Sequence, residues 1–427
     1  MPTRQDLHDL VHRARQRGAT AAEARWVGTR GLDLVRDGGG AKASAVATDG
    51  LVVTVWSGEG QGVADGPWAR ADALVDAALA AQRPCDPLSG PVPRLPHPSV
   101  GVSIADRRWA ALTEADRVEV VDEAWGALAA IPNARPEPIR WSDRAVRRVF
   151  ASTAGVGAEE EGHVFRAEIA VAWRDAGGPM RLGDVVASRS FASLASIPFG
   201  ADLAARVAAL RAPRAPLPPG PVRLLLQPRV TARLFDAIAR LCVPWEAGRS
   251  FLAQHVLDPR LHLQDDPALP GGLRSYAFDD RGTPPVSLML LREGRLAERY
   301  LDALGAARAD LRPTGHAVGT DLVPSNLVLR KGLRSVHVVL GELGGVTFAP
   351  DDLAVDAGLD AATGRLTVQA NGTVYHGAQA VGSALQVPLT VDLPVALGEI
   401  VEFTCEFDRV GHVDAPALVL AGATIGG

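Results

Sequence analysis

Histidine pairs are the first candidates for chemistry in this chain of 427 residues, which contains ten histidines. His8 and His12 are four residues apart, a spacing that places two imidazoles on one face of a helix and suits zinc. The glutamate that serves as base in H-E-x-x-H peptidases is missing from this pair, which also lies opposite an apolar stripe. His255 and His262 are seven residues apart, with no third ligand at a matching spacing. At both pairs a solvated surface is therefore favoured over a metal site.

Signatures of a nucleophile or a phosphate-binding loop are weaker still. Residues 248–252 read G-R-S-F-L, which has the first glycine and the serine of a G-x-S-x-G elbow but lacks its second glycine. The glycines at 58, 60, 62 and 66 do not have the G-x-G-x-x-G spacing, and the β-like residues around them favour a hairpin. The sequence thus predicts neither a serine hydrolase nor a dinucleotide site here.

Adjacent aspartates occur three times, at residues 265–266, 279–280 and 351–352, and three glutamates follow one another at 159–161. Such pairs can supply metal oxygens or a general base, but they more often cap turns or face water. The first two pairs flank a stretch rich in proline and glycine, and D-D-R-G at 279–282 predicts a turn before the apolar run 286–291. Structural use in turns is favoured, and lining of a site is the alternative.

The elements that must position these residues begin with a helix, predicted by an apolar stripe at Leu7, Leu10, Val11 and Ala14. Asp6 is the predicted N-cap and Gly18 the left-handed C-terminal residue. Further helices are predicted from Pro67 and from Thr113, the latter with Asp116 three residues on. Glycine-rich turns between short β-like runs predict antiparallel strands, and six prolines in 83–100 predict an extended loop.

The sharpest change of composition is at 212–221, where five prolines in ten residues predict a stiff linker. We therefore predict an N-terminal α+β domain of helices on antiparallel sheets over 1–211 and a β-rich, sandwich- or barrel-like domain over 222–427. The apolar runs 286–291 and 336–340 are predicted strands of the second domain. Their apolar character also fits a subunit interface.

Composition excludes several classes of protein. The net charge of −5 and the mixed signs leave no basic surface for nucleic acid. Cys85, Cys242 and Cys405 form no C-x-x-C pair, which favours reduced thiols. Charges interrupt the N-terminus where a secretory signal needs an apolar core, and no apolar run approaches the ~20 residues of a membrane span. We expect a cytoplasmic protein that does not contact membranes.

Several short motifs in the second half of the chain resemble the TldD/PmbA peptidase family, once described as modulators of DNA gyrase. In order they are G-R-S at 248–250, D-D-P at 265–267, G-G at 271–272, F-D-D-R-G at 278–282, R-E-G-R-L at 292–296, P-T-G-H-A at 313–317, S-N-L at 325–327 and T-G at 363–364. The T-G-H-A segment is similar to one found in PmbA-like members. The first helix and the turn at 49–50 resemble the family's first domain, so the resemblance covers nearly the whole chain.

The resemblance implies a division of labour between two subunits. In this family the TldD-type subunit carries H-E-x-x-x-H and a cysteine ligand for zinc, and the PmbA/TldE type does not. The present chain has no His-Glu dipeptide, and residues 232–237, where the metal helix would lie, offer no ligand. The resemblance thus implies a non-catalytic subunit without its own cofactor, paired with a TldD-like zinc peptidase subunit that degrades or matures unstructured peptides.

For substrate contact the resemblance favours the segments 265–282 and 313–320, and within them Asp265, Asp266, Asp279, Asp280, Gly315 and His316. Two alternatives stay open. One is a self-contained hydrolase that uses Asp266, Asp280 and His316 as a metal or acid–base site. The other is a scaffold that only stabilises its partner. A homodimer of the chain alone is a further form of assembly that the sequence leaves open.

Overall fold

A computed structural model describes residues 1–58, 60–93, 102, 104–175, 178–243 and 248–426. Two large β-sheets follow one another along the chain, each with its own helices. Within the described residues the helices, labelled α1 to α11 in chain order, are Arg4–Gln16, Ala71–Ala80, Glu114–Ala129, Phe191–Ala195, Phe199–Leu210, Pro228–Arg240, Phe251–Gln254, Ala303–Ala309, Val336–Leu343, Val355–Gly358 and Leu393–Gly398.

The strands are labelled in the same way. In the first half of the chain, β1 to β8 are Ala21–Asp37, Gly40–Ser57, Gly60–Gly66, Arg83–Pro84, Ala134–Pro136, Ile139–Ser152, Gly157–Asp175 and Gly178–Ser188. In the second half, β9 to β20 are Gly220–Leu226, Leu263–Asp265, Leu288–Arg292, Arg295–Leu296, Ala317–Val318, Asp321–Leu322, Leu327–Leu329, Val346–Pro350, Arg365–His376, Gln379–Asp392, Ile400–Val410 and Val413–Ile425. The predicted α+β class is confirmed.

The first sheet is antiparallel and has the order β4-β3-β2-β1-β6-β7-β5, with β8 also paired to β7. Successive residues of a strand point to opposite faces, so each strand presents two different surfaces. In β1, Ala22, Ala24 and Trp26 pack with α1 and α2 in one hydrophobic core. Glu23 and Arg25 lie on the other face, which turns toward the second half of the chain.

Capping explains where α1 and α3 begin. Thr3, not Asp6, is the N-cap of α1, so the predicted cap was wrong by one turn. Asp6 lies at the third helical position, where its carboxylate accepts a hydrogen bond from the Thr3 amide at 2.7 Å. Thr113 and Asp116 form the same reciprocal capping box in front of α3. Each box satisfies amide groups that the first turn of a helix leaves without partners.

The second sheet closes on itself in part. Strand β20 pairs with both β18 and β9, and the path β18-β17-β16-β9 returns to it, so five strands form a ring. Helix α6 packs against β19 and β20, and most of its residues are buried in the main core of this half. The predicted barrel-like character therefore corresponds to this ring, extended by β10, β11, β12, β15 and β19.

One predicted strand was wrong. Residues 336–340 belong to helix α9, because the Ser335 hydroxyl accepts from the Val338 amide at 3.3 Å and caps the helix. Only the adjacent residues Val339 and Leu340 are buried. Two adjacent buried residues fit a strand as well as one turn of a helix, so this short apolar run did not identify the element. The run 286–291 is a strand from Leu288 onward.

The connection between the two halves runs from the end of α5 at Leu210 to the start of β9 at Gly220. The last residues of the predicted linker thus lie in β9, and Ala215 donates its amide to the Ser383 carbonyl at 3.0 Å. Residues 94–100 of the proline-rich 83–100 segment lie outside the described residues.

Residues 191–210 are the one helical stretch, among the described residues, that is long and apolar enough to cross a membrane by length and composition. Core helices of folded domains share this length and composition. Here a turn separates α4 from α5 within the stretch, and Leu203, Val207 and Leu210 pack in the core with α3.

Candidate functional site

Asp265 lies at the centre of a fully buried polar cluster beneath the second sheet. Its Oδ2 accepts hydrogen bonds from the Tyr300 hydroxyl at 2.6 Å and from the Ser325 amide at 2.9 Å. The Ser325 hydroxyl donates to Oδ1. Asp265 and His316 are 0% exposed, and Tyr300 and Ser325 are similarly enclosed. We call these four residues the sealed cluster.

His316 completes the sealed cluster without a conventional hydrogen bond. Its Nε2 is 3.6 Å from Asp265 Oδ1, and neither ring nitrogen has a hydrogen-bond partner among the described residues. The imidazole packs edge-on against the Tyr300 ring, with centroids 4.9 Å apart. The residue types of a Ser-His-Asp triad thus meet, but the Ser325 hydroxyl is directed at the carboxylate and not at the imidazole. The arrangement does not activate a nucleophile.

The electrostatics of the sealed cluster follow from burial and from its donors. Burial alone would raise the pKa of Asp265, but His316, Ser325 and Tyr300 outweigh it and hold that pKa below its usual value. Burial raises the pKa of Tyr300 well above its usual value, and Asp265 adds to the shift. Burial likewise raises the pKa of Cys242 to about 12, so this thiol stays protonated. The cluster therefore holds one buried carboxylate that is stabilised by the hydroxyl groups of Tyr300 and Ser325.

Asp266, next in the chain, has a separate role. Its Oδ1 accepts from the Ala268 amide at 3.0 Å and its own amide donates to the Asn326 carbonyl at 2.7 Å, so it fixes a turn. Gly315 also serves the backbone: its φ is +73°, and a Cβ there would lie 2.6 Å from the Pro285 Cα. Its carbonyl accepts from the Tyr276 hydroxyl at 2.8 Å.

Asp279 is the buried member of the second acid pair and forms the predicted turn. Its carboxylate accepts from the amides of Arg281 and Thr283, both at 2.9 Å, and from the Ala317 amide at 3.1 Å. Burial raises the pKa of Asp279, and these three amides offset the shift only in part. The carboxylate ties the segment 279–283 to β13, so it brings the two predicted segments together.

Asp280 points the opposite way, toward the first sheet. It is ion-paired with Arg25 of β1 at 2.5 Å and with Arg148 of β6 at 3.0 Å. It also accepts from the Gly319 amide at 2.8 Å. Beside it, Arg281 Nε is 2.9 Å from Glu23 Oε2. Burial raises the pKa of Glu23, although Arg281 opposes the shift. These pairs join the two halves of the chain.

A cleft of about 440 Å³ opens at this junction. One wall is the uncovered face of the first sheet, with Val52, Thr54 and Val63. The opposite wall includes the start of α8 at residues 302–304 and the turn into β14 at residues 319–321. The Asp280 and Arg281 ion pairs with the sheet lie along the floor of the cleft. Sequence reasoning found Asp280 but missed Glu23 and Arg25, which carry no motif and are brought here only by the pairing of β1.

Metal binding receives no support from the geometry of the described residues, in which no group of three or more histidine, cysteine or acidic side chains converges. The donor set thus does not fit a zinc centre of the usual three protein ligands. His8 and His12 lie with Nε2 atoms 3.2 Å apart on the exposed face of α1. The whole-chain prediction of no metal stays a prediction.

Helix α6 carries a residue that the sequence did not single out. Asp236 Oδ1 is hydrogen-bonded to His412 Nε2 at 2.8 Å. Asp236 is also ion-paired with Arg240. Burial would raise the pKa of Asp236, but His412 and Arg240 lower it to about 2. This pair joins α6 to the turn between β19 and β20, and a sequence separation of 176 residues hid it.

Three comparisons place the chain among known proteins. A family model described as the PmbA/TldA metallopeptidase C-terminal domain matches residues 219–427. A search of curated proteins found no match.

Solved structures of similar fold cover the chain from end to end. A protein described as a modulator of a DNA gyrase from Thermotoga maritima has a TM-score of 0.84 at 18% identity, over 99% of this chain and 100% of that one. A similar modulator from Bacteroides thetaiotaomicron has a TM-score of 0.85 at 16% identity, and TldE from Thermococcus kodakarensis 0.80 at 16%, each over the whole of both chains. Together with the match of residues 219–427 to the family's C-terminal domain, the shared fold of the whole chain confirms the resemblance to the TldD/PmbA family seen in the sequence.

Proposed function

We propose that this chain is the TldE-like, non-catalytic subunit of a two-subunit TldD/PmbA-type metallopeptidase, and that its cleft holds an extended, unstructured peptide. The zinc ion belongs to a TldD-like partner subunit, where it would polarise the peptide carbonyl and supply the attacking water. The chain described here contributes binding and exclusion of folded proteins. A cytoplasmic location accompanies this proposal.

The charge state of the cleft is the observation that carries the proposal. Asp280 is ion-paired with Arg25 and Arg148, and Glu23 with Arg281, so the charges of the floor are already matched. A general base needs a free carboxylate within reach of its proton, and these are held by arginines. The ion pairs of the floor are thus suited to hold the two walls of the cleft together.

The sheet side of the cleft favours an extended ligand with uncharged side chains. Val52, Thr54 and Val63 give the sheet side a small, mostly apolar surface, and Val63 is 51% exposed. A peptide backbone that binds in extended form needs hydrogen bonds and room for alternate side chains more than specific charges. Such a surface matches the unstructured peptides expected for this family.

The self-contained hydrolase is less well supported, because its three residues have separate tasks. His316 is sealed, Asp266 fixes a turn, and Asp280 is ion-paired at the junction. The scaffold alternative differs from the proposal only in whether the cleft binds peptide.

Filling the cleft tests the proposal directly. Val63→Trp should weaken binding of a fluorescent unstructured peptide about tenfold or more, since an indole would occupy the wall. Val185→Trp is the matched control, because Val185 is also an exposed strand residue, 46% exposed, but lies on β8 away from the cleft. Fluorescence anisotropy, with the zinc subunit present, measures both. Equal peptide affinity of the two variants and the unmodified chain would favour the scaffold.

Reconstitution separates the subunit role from independent catalysis. Co-expression with a TldD-like zinc subunit should yield a 1:1 complex that cleaves unstructured peptides, and this chain alone should cleave none. Elemental analysis of the isolated chain after dialysis should find no stoichiometric zinc. Peptidase activity of the isolated chain would contradict the proposal.

A further inference from the structure

We infer that a pocket between α4 and the turn joining β19 to β20 binds a carboxylate attached to a short apolar group, as found at the C-terminal residue of a peptide or in a small carboxylic acid. The site is separate from the cleft, and the inference does not depend on peptide binding there. It rests on the residues that line the pocket, on a guanidinium without a counter-charge, and on free hydroxyl groups beside it.

The pocket has a volume of about 390 Å³ and lies where the two halves of the chain meet. The first half contributes the end of β8 and α4, and the second half contributes the loop at 270–273 and the turn after β19. It shares no lining residue with the cleft. None of the described residues that line it is acidic, and five of them carry donors: Arg189, Arg409, Ser188, Ser190 and Ser193. A lining of this kind suits an anion.

Arg189 carries a positive charge that no described carboxylate pairs with. Its Nη1 donates to the His163 carbonyl at 3.2 Å, and its Nη2 donates to the Ser275 carbonyl at 3.0 Å. Its Nε is buried and has no hydrogen-bond partner among the described residues. Burial lowers the pKa of Arg189 to about 10, a shift that Glu160 opposes only in part. The two carbonyls therefore fix the guanidinium in place without neutralising it.

The other charged groups around Arg189 already have partners. Glu160 is ion-paired with Arg148 at 2.8 Å. Arg409, which also lines the pocket, donates two hydrogen bonds to the Asp414 carboxylate, at 2.6 and 2.8 Å. The unmatched positive charge of the pocket is thus that of Arg189. A single positive charge is balanced by a carboxylate, whereas a doubly charged phosphate would leave an excess of negative charge in a half-buried site.

Hydroxyl groups supply further donors in the pocket. Ser188 Oγ accepts from the Ser190 amide at 3.1 Å, and Ser190 Oγ accepts from the Ser193 amide at 3.4 Å. Because both oxygens act as acceptors and no described acceptor takes their protons, these hydroxyls can donate to a ligand. The rest of the lining is small or apolar and includes Ile197 and Leu273. A carboxylate held by the guanidinium and the hydroxyls would therefore place a short apolar group against these side chains.

Adding a negative charge to the lining tests the inference. Arg189 also bonds to Ser275 of the other half, so replacing it would loosen the junction, and Ser193→Asp is the better variant. Ala192→Asp is the matched control, because Ala192 is exposed on the same helix but does not line the pocket. Ligand-detected NMR of the full chain with N-acetyl-leucine should show at least about tenfold weaker binding for Ser193→Asp. Ala192→Asp and the unmodified chain should agree within about twofold, with all three shown to be folded by circular dichroism.

Probes of matched shape separate charge from shape. N-acetyl-leucinamide lacks the carboxylate and should bind at least about tenfold more weakly than N-acetyl-leucine. Isocaproate keeps the carboxylate and the branched apolar group but has no peptide group. Binding of isocaproate as tight as that of N-acetyl-leucine would support a small carboxylic acid as the ligand, and weaker binding would support a peptide C-terminus. Val63→Trp, which fills the cleft, should leave the binding of N-acetyl-leucine unchanged.

Four outcomes would overturn the inference. They are no detectable binding of N-acetyl-leucine to the unmodified chain, equal binding of N-acetyl-leucine and its amide, equal losses in Ser193→Asp and Ala192→Asp, and tighter binding of methyl phosphate than of N-acetyl-leucine. Loss of N-acetyl-leucine binding in Val63→Trp would place the ligand in the cleft and would contradict the inference as well. Binding of unstructured peptide to the cleft is measured separately, so failure of either proposal leaves the other standing.

Discussion

The sealed cluster and the cleft contain similar residue types in opposite settings. In the sealed cluster Asp265 is surrounded by Tyr300, Ser325 and His316 with no access to solvent. In the cleft, the Asp280 side chain is only 10% exposed and is held by two arginines from the first sheet. The residues that look most catalytic are therefore used in folding, whereas we propose that the cleft is used for binding. The residue types alone did not distinguish the sealed cluster from the cleft.

The acid pairs show the physical basis of the difference. In the first two pairs the first carboxylate, Asp265 or Asp279, is buried and accepts several hydrogen bonds. The second, Asp266 or Asp280, lies nearer the surface and faces another direction. The side chains of adjacent residues in extended or turn backbone point in different directions, so two neighbouring aspartates can have two different environments. Adjacency in sequence therefore did not produce a shared two-carboxylate site.

The largest effect is expected in the sealed cluster. Asp265→Ala should lower the free energy of unfolding by about 3–5 kcal/mol, because buried donors of Tyr300 and Ser325 lose a charged acceptor. Asp266→Ala should cost only about 1 kcal/mol, since it removes a single turn bond. Urea denaturation of both variants provides the comparison. Equal losses would mean that the cluster is not the stabilising centre inferred here.

An intermediate effect is expected for the pair on α6. The pKa of Asp236, about 2 against an ordinary 3.8, lies below the unfolded value, so its contribution is present above about pH 4 and is lost as pH falls toward 2. Asp236→Asn should thus lower stability by about 2 kcal/mol at neutral pH. Denaturation curves at several pH values should show the gap closing in acid. A constant difference across that range would contradict the assignment.

The smallest change of stability is expected at the cleft floor. Asp280→Asn should lower the free energy of unfolding by about 1 kcal/mol, because Arg148 keeps Glu160 as a partner and the amide oxygen can still accept from Gly319. The peptide affinity of Asp280→Asn should also fall, because the two halves of the chain that form the cleft are then less firmly joined. Thermal unfolding and anisotropy of one preparation measure both. A loss as large as that of Asp265→Ala would place Asp280 in the folding core.

Sequence reasoning predicted the local features of the fold and missed the long-range ones. The periodic stripe at Leu7 and Leu10 and the capping box at Thr113 depend on neighbours a few residues apart, and both predictions are confirmed. Glu23 meets Arg281 across 258 residues, a contact that only the folded sheets create. The helix at 336–343 was mistaken for a strand because the short run V-H-V-V-L at 336–340 has no distinct period.

The central claim is that the cleft serves function and the sealed cluster serves folding. It is tested most directly by one assay of peptide cleavage by the complex with the zinc subunit, comparing His316→Gln with Val63→Trp, each shown to be folded and bound to its partner. The account predicts that His316→Gln retains nearly full cleavage while Val63→Trp loses most of it. Loss of cleavage in folded His316→Gln, with full cleavage in Val63→Trp, would contradict it.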